Sequence, residues 1–272
     1  MSTLDTDNKP TGSLPTLYEA YLVPMIFEPY AVDLARRIAA RSVSRVLEIA
    51  AGTGVVTRHL ATVLPASVAI VATDRNQAML TVASTVGTAR PLEWRQADAM
   101  QLPFLDGTFD AVVCQFGFMF FPDKPKAFSE ARRVLSPGGI LIFNVWDRID
   151  QNEFADTVTT ALASLYPEDP PSFLARVPHG YYDHSLITHD LARGGFGRAP
   201  HVTTLTARSR AASPRIPAIG YCQGTPLRDE IETRDASRRD TATDVASIAL
   251  ATRFGTGEVD GKLQAHIVEV EA

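Results

Sequence analysis

The sequence predicts an α/β chain built on a doubly wound, mostly parallel sheet. Three observations carry this: short β-branched runs alternate with helical segments, the runs are apolar almost throughout, and a glycine-rich loop follows the first of them. Strands with no polar face need cover on both sides, as in a parallel sheet flanked by helices. Right-handed crossovers then give the doubly wound arrangement.

The elements follow in order. Residues 1–15 read as a polar tail. Leu17 to Arg41 is helical in pattern, and Pro24 and Pro29 are expected to break it into short pieces. Arg45–Ala50 reads as a buried strand, Val55–Leu64 as a helix, Val68–Thr73 as a strand and Asn76–Val86 as a helix. Leu92–Gln96 is a weaker strand and Phe109–Gln115 a strong one. Lys124–Leu135 is amphipathic, Ser136–Gly139 a turn, and Ile140–Trp146 a fifth strand. Beyond Trp146, residues 150–166 look helical, 167–185 are rich in proline, histidine and tyrosine, and 214–254 are mostly helical. His201–Ser209 and Lys262–Val270 alternate as strands do.

The 272 residues, 45% hydrophobic and 21% charged, can bury a sizeable core as a single domain, residues 1–272. Within it 1–44 is expected to be a tail with lid helices, 45–146 a ligand-binding core, and 147–272 cap segments with the last strands. A net charge of −5 argues against non-specific nucleic-acid binding. The mixed charges at 228–246 read as a solvated helix face. Cys114 and Cys222 have no near partner, so neither a disulfide framework nor a cysteine zinc site is expected. The polar start lacks a signal-peptide pattern, and no apolar run is long enough to span a bilayer, so a cytoplasmic location is expected.

The chemistry concentrates in Val46-Leu47-Glu48-Ile49-Ala50-Ala51-Gly52-Thr53-Gly54. A strand running through small residues into a helix lets a ligand approach free backbone N–H groups. A tight turn serving only packing is the competing reading. Asp74 directly after the second strand suits ribose hydroxyls, or else caps the next helix. Asp98 just past the third suits an adenine amino group, or else a turn. Glu48, Asp74 and Asp98 mark the ends of three successive strands, which a doubly wound sheet sets along one edge.

Taken together, VLEIAAGTG (46–54), the acid in VATDRNQAML (71–80), QADAMQLPF (96–104), FDAVVCQFGFMFFPD (109–123) and RRVLSPGGILIF (132–143) resemble the class I S-adenosylmethionine-dependent methyltransferases, in their ubiquinone/menaquinone-type small-molecule branch. The flanks carry no such signature. The resemblance implies a seven-stranded Rossmann-like sheet with its last strand antiparallel, S-adenosylmethionine as cofactor and S-adenosylhomocysteine as product. It implies that Glu48 orders the glycine loop near the cofactor's amino-acid end and that Gly52 and Gly54 admit that end. Asp74 would hold the ribose beside Arg75 and Met79, Asp98 and Ala99 would read the adenine, and Gln115 and Phe116 would border the sulfonium. Where the family often has glycine this chain has Ala50, which fits if its φ stays negative.

Methyl transfer needs alignment more than a fixed catalytic residue, so none is assigned. A base, if used, is sought among His179, Tyr181, Tyr182, His184 and His189, whose competing reading is surface histidines and packing tyrosines. These histidines match no zinc spacing and no metal is expected; His59 reads as structural or exposed. Tyr21, Phe118, Tyr182 and His184 are the candidate acceptor pocket, with the Tyr18–Tyr30 segment as lid, which suggests a planar or apolar small molecule. A homodimer is left open. Two other functions compete. A nicotinamide-dependent oxidoreductase would want a third glycine where Thr57 stands, and would not want Glu48 near a pyrophosphate. A non-catalytic cofactor-binding protein would keep the acids and lack an acceptor pocket.

Overall fold

The computed structural model describes residues 13–272. The expected tail lies outside the described residues up to position 12, and its last residues instead enter a short helix, Leu14–Leu17.

One sheet holds seven strands: β1 Arg45–Glu48, β2 Ala69–Asp74, β3 Glu93–Gln96, β4 Phe109–Gln115, β5 Leu135–Trp146, β6 His201–Ala211 and β7 Val259–Glu271. Their order is β3-β2-β1-β4-β5-β7-β6. The first five pair in parallel, and β7 runs antiparallel between β5 and β6. The chain reverses direction across the sheet between β1 and β4, so the loops after β1, β2, β3 and β4 gather at one edge, the usual ligand crevice of such sheets. The central strands are buried because their residues, such as Val46, Leu47, Val112 and Val113, are apolar on both faces. The turn expected at Ser136–Gly139 is a loop-out within β5, where the pairing jumps from Phe109↔Leu135 to Ala111↔Ile140.

The amino-terminal prolines do not break the helical run. Tyr18–Phe27 winds with i→i+5 bonds, as from the Glu28 N–H to the Val23 carbonyl, and continues directly into helix Glu28–Ala39. The wider winding accommodates Pro24, which has no N–H to offer. Pro29 sits in the first turn of the next helix, where its missing N–H costs nothing. A further helix, His184–Arg193, is capped by Asp183, which accepts from the Ser185 and Leu186 N–H groups. It was not legible in the proline- and histidine-rich segment. Residues 214–254 fold as helices Arg215–Gly224, Leu227–Arg234 and Arg239–Phe254. Among the described residues no helix is long and apolar enough to cross a membrane.

Candidate active site

A cavity of about 470 Å³ opens at the strand-end edge and joins two regions of different character. One is built from the loops after β1 to β4, the other from aromatic and aliphatic side chains of the flanks.

The loop after β1 is held in an unusual shape. Ala50 has φ +54°, Gly52 +57° and Gly54 +83°. The condition set for Ala50, a negative φ, is not met: the residue is left-handed, a conformation that glycine takes freely and alanine takes at a cost of about 1–2 kcal/mol. Two acids from below and beside fix the loop. Glu48 is buried and accepts a 2.5 Å hydrogen bond from the Thr57 hydroxyl in helix Val55–Val63. Burial pushes its carboxyl up to about 8, against the pull of Thr57 and Arg58 and with a contribution from Asp74. Asp74 accepts from the Gly52 N–H with one carboxylate oxygen and from the Asn76 N–H with the other, each at 2.8 Å. The cap of helix Gln77–Val86 is therefore Asn76, whose side chain accepts from the Ala78 N–H, and Asp74 is left to tie the second strand to the glycine loop while facing the cavity. Burial raises the Asp74 carboxyl, offset by those N–H donors.

Of the residues expected at the cofactor end, Ala50, Gly52, Asp74, Arg75, Met79, Asp98, Ala99, Gln115 and Phe116 all line the cavity. Asp98 turns back to accept from the Met100 N–H. Glu48 does not line the cavity; it lies beneath the loop and braces it. Gly54 does not line it either. A Cβ there would stand 2.7 Å from the Trp94 ring, so this glycine serves packing between the loop and β3. Gln115 ends β4 with its Oε1 buried and unpartnered at the cavity wall. Phe116 is a second left-handed residue, φ +52°, held by its N–H bond to the Asn144 side chain at 2.9 Å. Its ring stacks on Trp146, centroids 3.8 Å apart and 8° from parallel. A left-handed phenylalanine persists only where surrounding contacts over-determine the backbone, as the Asn144 bond and the Trp146 stack do here.

The four side chains expected at the acceptor end do not line the cavity. Tyr21 faces away because Leu14, Tyr18, Leu22 and Ile26, four residues apart, take the cavity side of the lid. That spacing was the available signal. Phe118 is fully buried, stacked on Phe128 at 4.1 Å, because the turn Phe118–Phe120 rotates Phe120 toward the cavity instead. Tyr182 is exposed, and His184 starts its own helix with its ring against His266. Tyr181 is buried with its hydroxyl on Asp190. His59 bonds Glu28. Of the histidines weighed as a base, His179 lines the cavity. Tyr18, Phe27, Phe173 and Tyr221, supplied by flanks that carry no motif, complete the wall with Trp146 from the end of β5. The lid is pinned over the glycine loop, since Glu19 pairs at 2.8 Å with Arg58, which also donates to the Thr53 carbonyl at 2.7 Å. No group of three or more His, Cys, Asp or Glu among the described residues is placed to hold a metal ion.

Comparison with known proteins agrees with this geometry. Residues 47–143 match the family model described as a methyltransferase domain. The chain is 45% identical over 114 residues to the demethylmenaquinone methyltransferase of Thermus thermophilus, covering 41% of this chain and 50% of that one. It is 36% identical over 121 residues to a ubiquinone/menaquinone biosynthesis C-methyltransferase of Saccharophagus degradans, covering 43% and 47%. The chain thus spans about half the length of the curated relatives it matches. Among solved structures, phosphoethanolamine N-methyltransferase 2 of Haemonchus contortus superposes with a TM-score of 0.58 at 16% identity, over 100% of this chain and 60% of that one. The YcgJ protein of Bacillus subtilis superposes at 0.55 and 17% identity, over 89% and 98%. Both share the fold. Residues 47–143 thus match a methyltransferase domain, set within a seven-stranded sheet whose fold these solved structures share.

Proposed function

We propose that this protein binds S-adenosylmethionine along the loops after β1 to β4 and transfers its methyl group to an apolar small molecule held between those loops and the amino-terminal lid. The observation that carries the reading is the single cavity with a polar end, where Asp74, Asp98 and the left-handed glycine loop face inward, and an aromatic end. The polar end fits the cofactor on its own terms. Asp74 keeps lone pairs for a ribose beyond those spent on Gly52 and Asn76. Gln115 offers a buried acceptor with no protein partner. Asp98, with the neighbouring backbone, suits an adenine edge.

When bound, the cofactor supplies an electrophilic methyl group on a cationic sulfur. The chain's own residues do the remainder. The braced loop fixes the position of the amino-acid end, Phe116 and Gln115 border the reacting region, and the lid excludes water. The relatives' names point to quinone-type acceptors, and the aromatic wall suits a ring of that kind. We read residues 13–272 as one unit, because a single sheet draws strands from both the core and the carboxyl-terminal segment. A nicotinamide site fits less well, since Thr57 occupies the third glycine position of the dinucleotide fingerprint and its hydroxyl is spent on Glu48.

Calorimetric titration with S-adenosylhomocysteine, with NADH in parallel, tests the reading. Micromolar binding of the first and none of the second is expected. Tight NADH binding without the other overturns it.

A further inference from the structure

The acceptor end of the cavity is short of polar groups. Its charged lining residues, Asp74, Arg75 and Asp98, all sit on the cofactor loops. Among the described residues, no lysine, arginine, aspartate or glutamate lines the opposite end, where Phe27, Trp146, Phe173 and Tyr221 stand. The imidazole of His179 opens into this apolar space.

Its tautomer is fixed by what surrounds it. His179 Nδ1 lies 2.8 Å from the Asp147 carbonyl oxygen, which can only accept, so Nδ1 carries the hydrogen. The neighbouring Asn152 is fixed too. Its Oδ1 accepts from the Gln264 N–H at 3.1 Å, which turns its amide nitrogen toward the Arg148 carbonyl at 3.1 Å and the Asp147 carbonyl at 3.3 Å. Asn152 therefore lines the cavity with its hydrogen bonds already spent. In the neutral ring the lone pair is on Nε2, which bonds to no described residue. Burial pushes the imidazole down to about 4, against the pull of Asp147, so the ring is neutral near pH 7.

We infer that His179 is the general base of this site, and that the acceptor is a flat apolar molecule whose phenolic or enolic hydroxyl donates to Nε2. The inference rests on the methyl-transfer reading and names its substrate class. On this assignment the methyl group goes to that oxygen, and Trp146 spans the interval between the base and the end of β4: its ring lies 5.9 Å from the His179 ring and 3.8 Å from Phe116. In the step the hydroxyl O–H bond breaks and its proton goes to Nε2. The oxygen's electron pair forms the new bond to the methyl carbon, and the carbon–sulfur pair stays on sulfur as a neutral thioether. One positive charge leaves the sulfonium and one appears on the imidazolium, so the buried cavity neither gains nor loses charge. Asp147 lies beside the new cation, its carbonyl on Nδ1 and its carboxylate held by Gln264 at 2.6 Å and His266 at 3.2 Å.

The test uses 2-naphthol and 2-methoxynaphthalene, which differ in the hydroxyl hydrogen. With S-adenosylhomocysteine present, the wild type is expected to bind the naphthol about fivefold more tightly, as one buried hydrogen bond would give. His179→Phe removes the acceptor and should erase the preference. His179→Gln keeps an acceptor oxygen and should retain the preference, yet methylate 2-naphthol at least ~100-fold more slowly. Unchanged affinity for S-adenosylhomocysteine shows that each variant has folded, and His179→Gln stands alone if His179→Phe does not fold. A preference that survives in His179→Phe overturns the proposal. So does a wild-type rate in His179→Gln, or a wild type that binds neither probe or leaves bound naphthol unmethylated. Loss of S-adenosylhomocysteine binding by the wild type overturns the methyl-transfer reading itself.

Discussion

Replacing Glu48 by glutamine should make the protein more stable in alkaline solution than the wild type, while changing little at acid pH. The Glu48 carboxyl lies buried beneath the glycine loop with Thr57 as its hydrogen-bond partner. Desolvation raises it from an ordinary 4.5 to about 8. That gap corresponds to about 5 kcal/mol, at ~1.4 kcal/mol per tenfold in proton affinity. The sign follows from linkage. Below about pH 4.5 both the folded and unfolded chains hold the proton and nothing is lost. Above it the unfolded chain releases its proton while the folded one keeps it, so stability falls steadily until about pH 8 and is flat beyond. Glutamine matches the protonated side chain in shape and cannot titrate. The other ionisable groups are common to both proteins and cancel in the difference. Urea unfolding at pH 5, 7 and 9 is the assay, and the advantage of Glu48→Gln over wild type should grow by about 4 kcal/mol across that range, the first part of the loss having occurred below pH 5. A difference that stays constant within ~1 kcal/mol refutes the reasoning, because Glu48 would then be ionised in the fold and solvated in a way its burial does not allow.

Asp74→Ala should weaken S-adenosylhomocysteine binding at least ~100-fold by calorimetry, since hydrogen bonds to a charged acceptor contribute about 1.5–3 kcal/mol each; unchanged affinity would place the ribose elsewhere. Gly54→Ala brings a Cβ to 2.7 Å from Trp94 at φ +83°, and urea unfolding should show a loss of about 3 kcal/mol. Ala50→Gly relieves a left-handed alanine and gives back part of the gain as unfolded-chain entropy, so its Tm should rise by about 1–3 °C in a thermal melt. A lowered Tm would mean that the alanine methyl contributes more by contact than its backbone costs.

How far the sequence is legible depends on the range of the interactions involved. The five parallel strands and their helices were readable because their signals are local: apolar runs, a glycine loop and capping side chains. The acids that line the strand-end part of the cavity followed, since a strand-end acid needs only the strand to be placed. Gly54 was read as a ligand contact because its steric partner, Trp94, is distant in sequence. The left-handed φ of Ala50 was not legible because Asp74, which holds the adjoining loop through Gly52, acts from the neighbouring strand. The acceptor wall was hardest. Whether Tyr18 or Tyr21 faces inward turns on the four-residue spacing of Leu14, Tyr18, Leu22 and Ile26, which is read only if the helical run is carried through Pro24. His179 was found among the histidines, but only tertiary packing separates it from His184 and His189.

The division of the cavity also bears on how such a protein changes over evolutionary time. The end assigned to the cofactor is formed by loops of a contiguous core. The opposite end takes much of its wall from two segments, the lid before β1 and the stretch after β5, whose cavity-facing side chains, such as Phe27, Phe173 and Tyr221, gather around Trp146 at the end of β5. Mutations in those segments can reshape what is accepted while the donor site stays intact. Drift in one direction is therefore cheap and in the other is not, which makes the chain a natural starting point for diversification, by selection or by directed evolution confined to the wall residues.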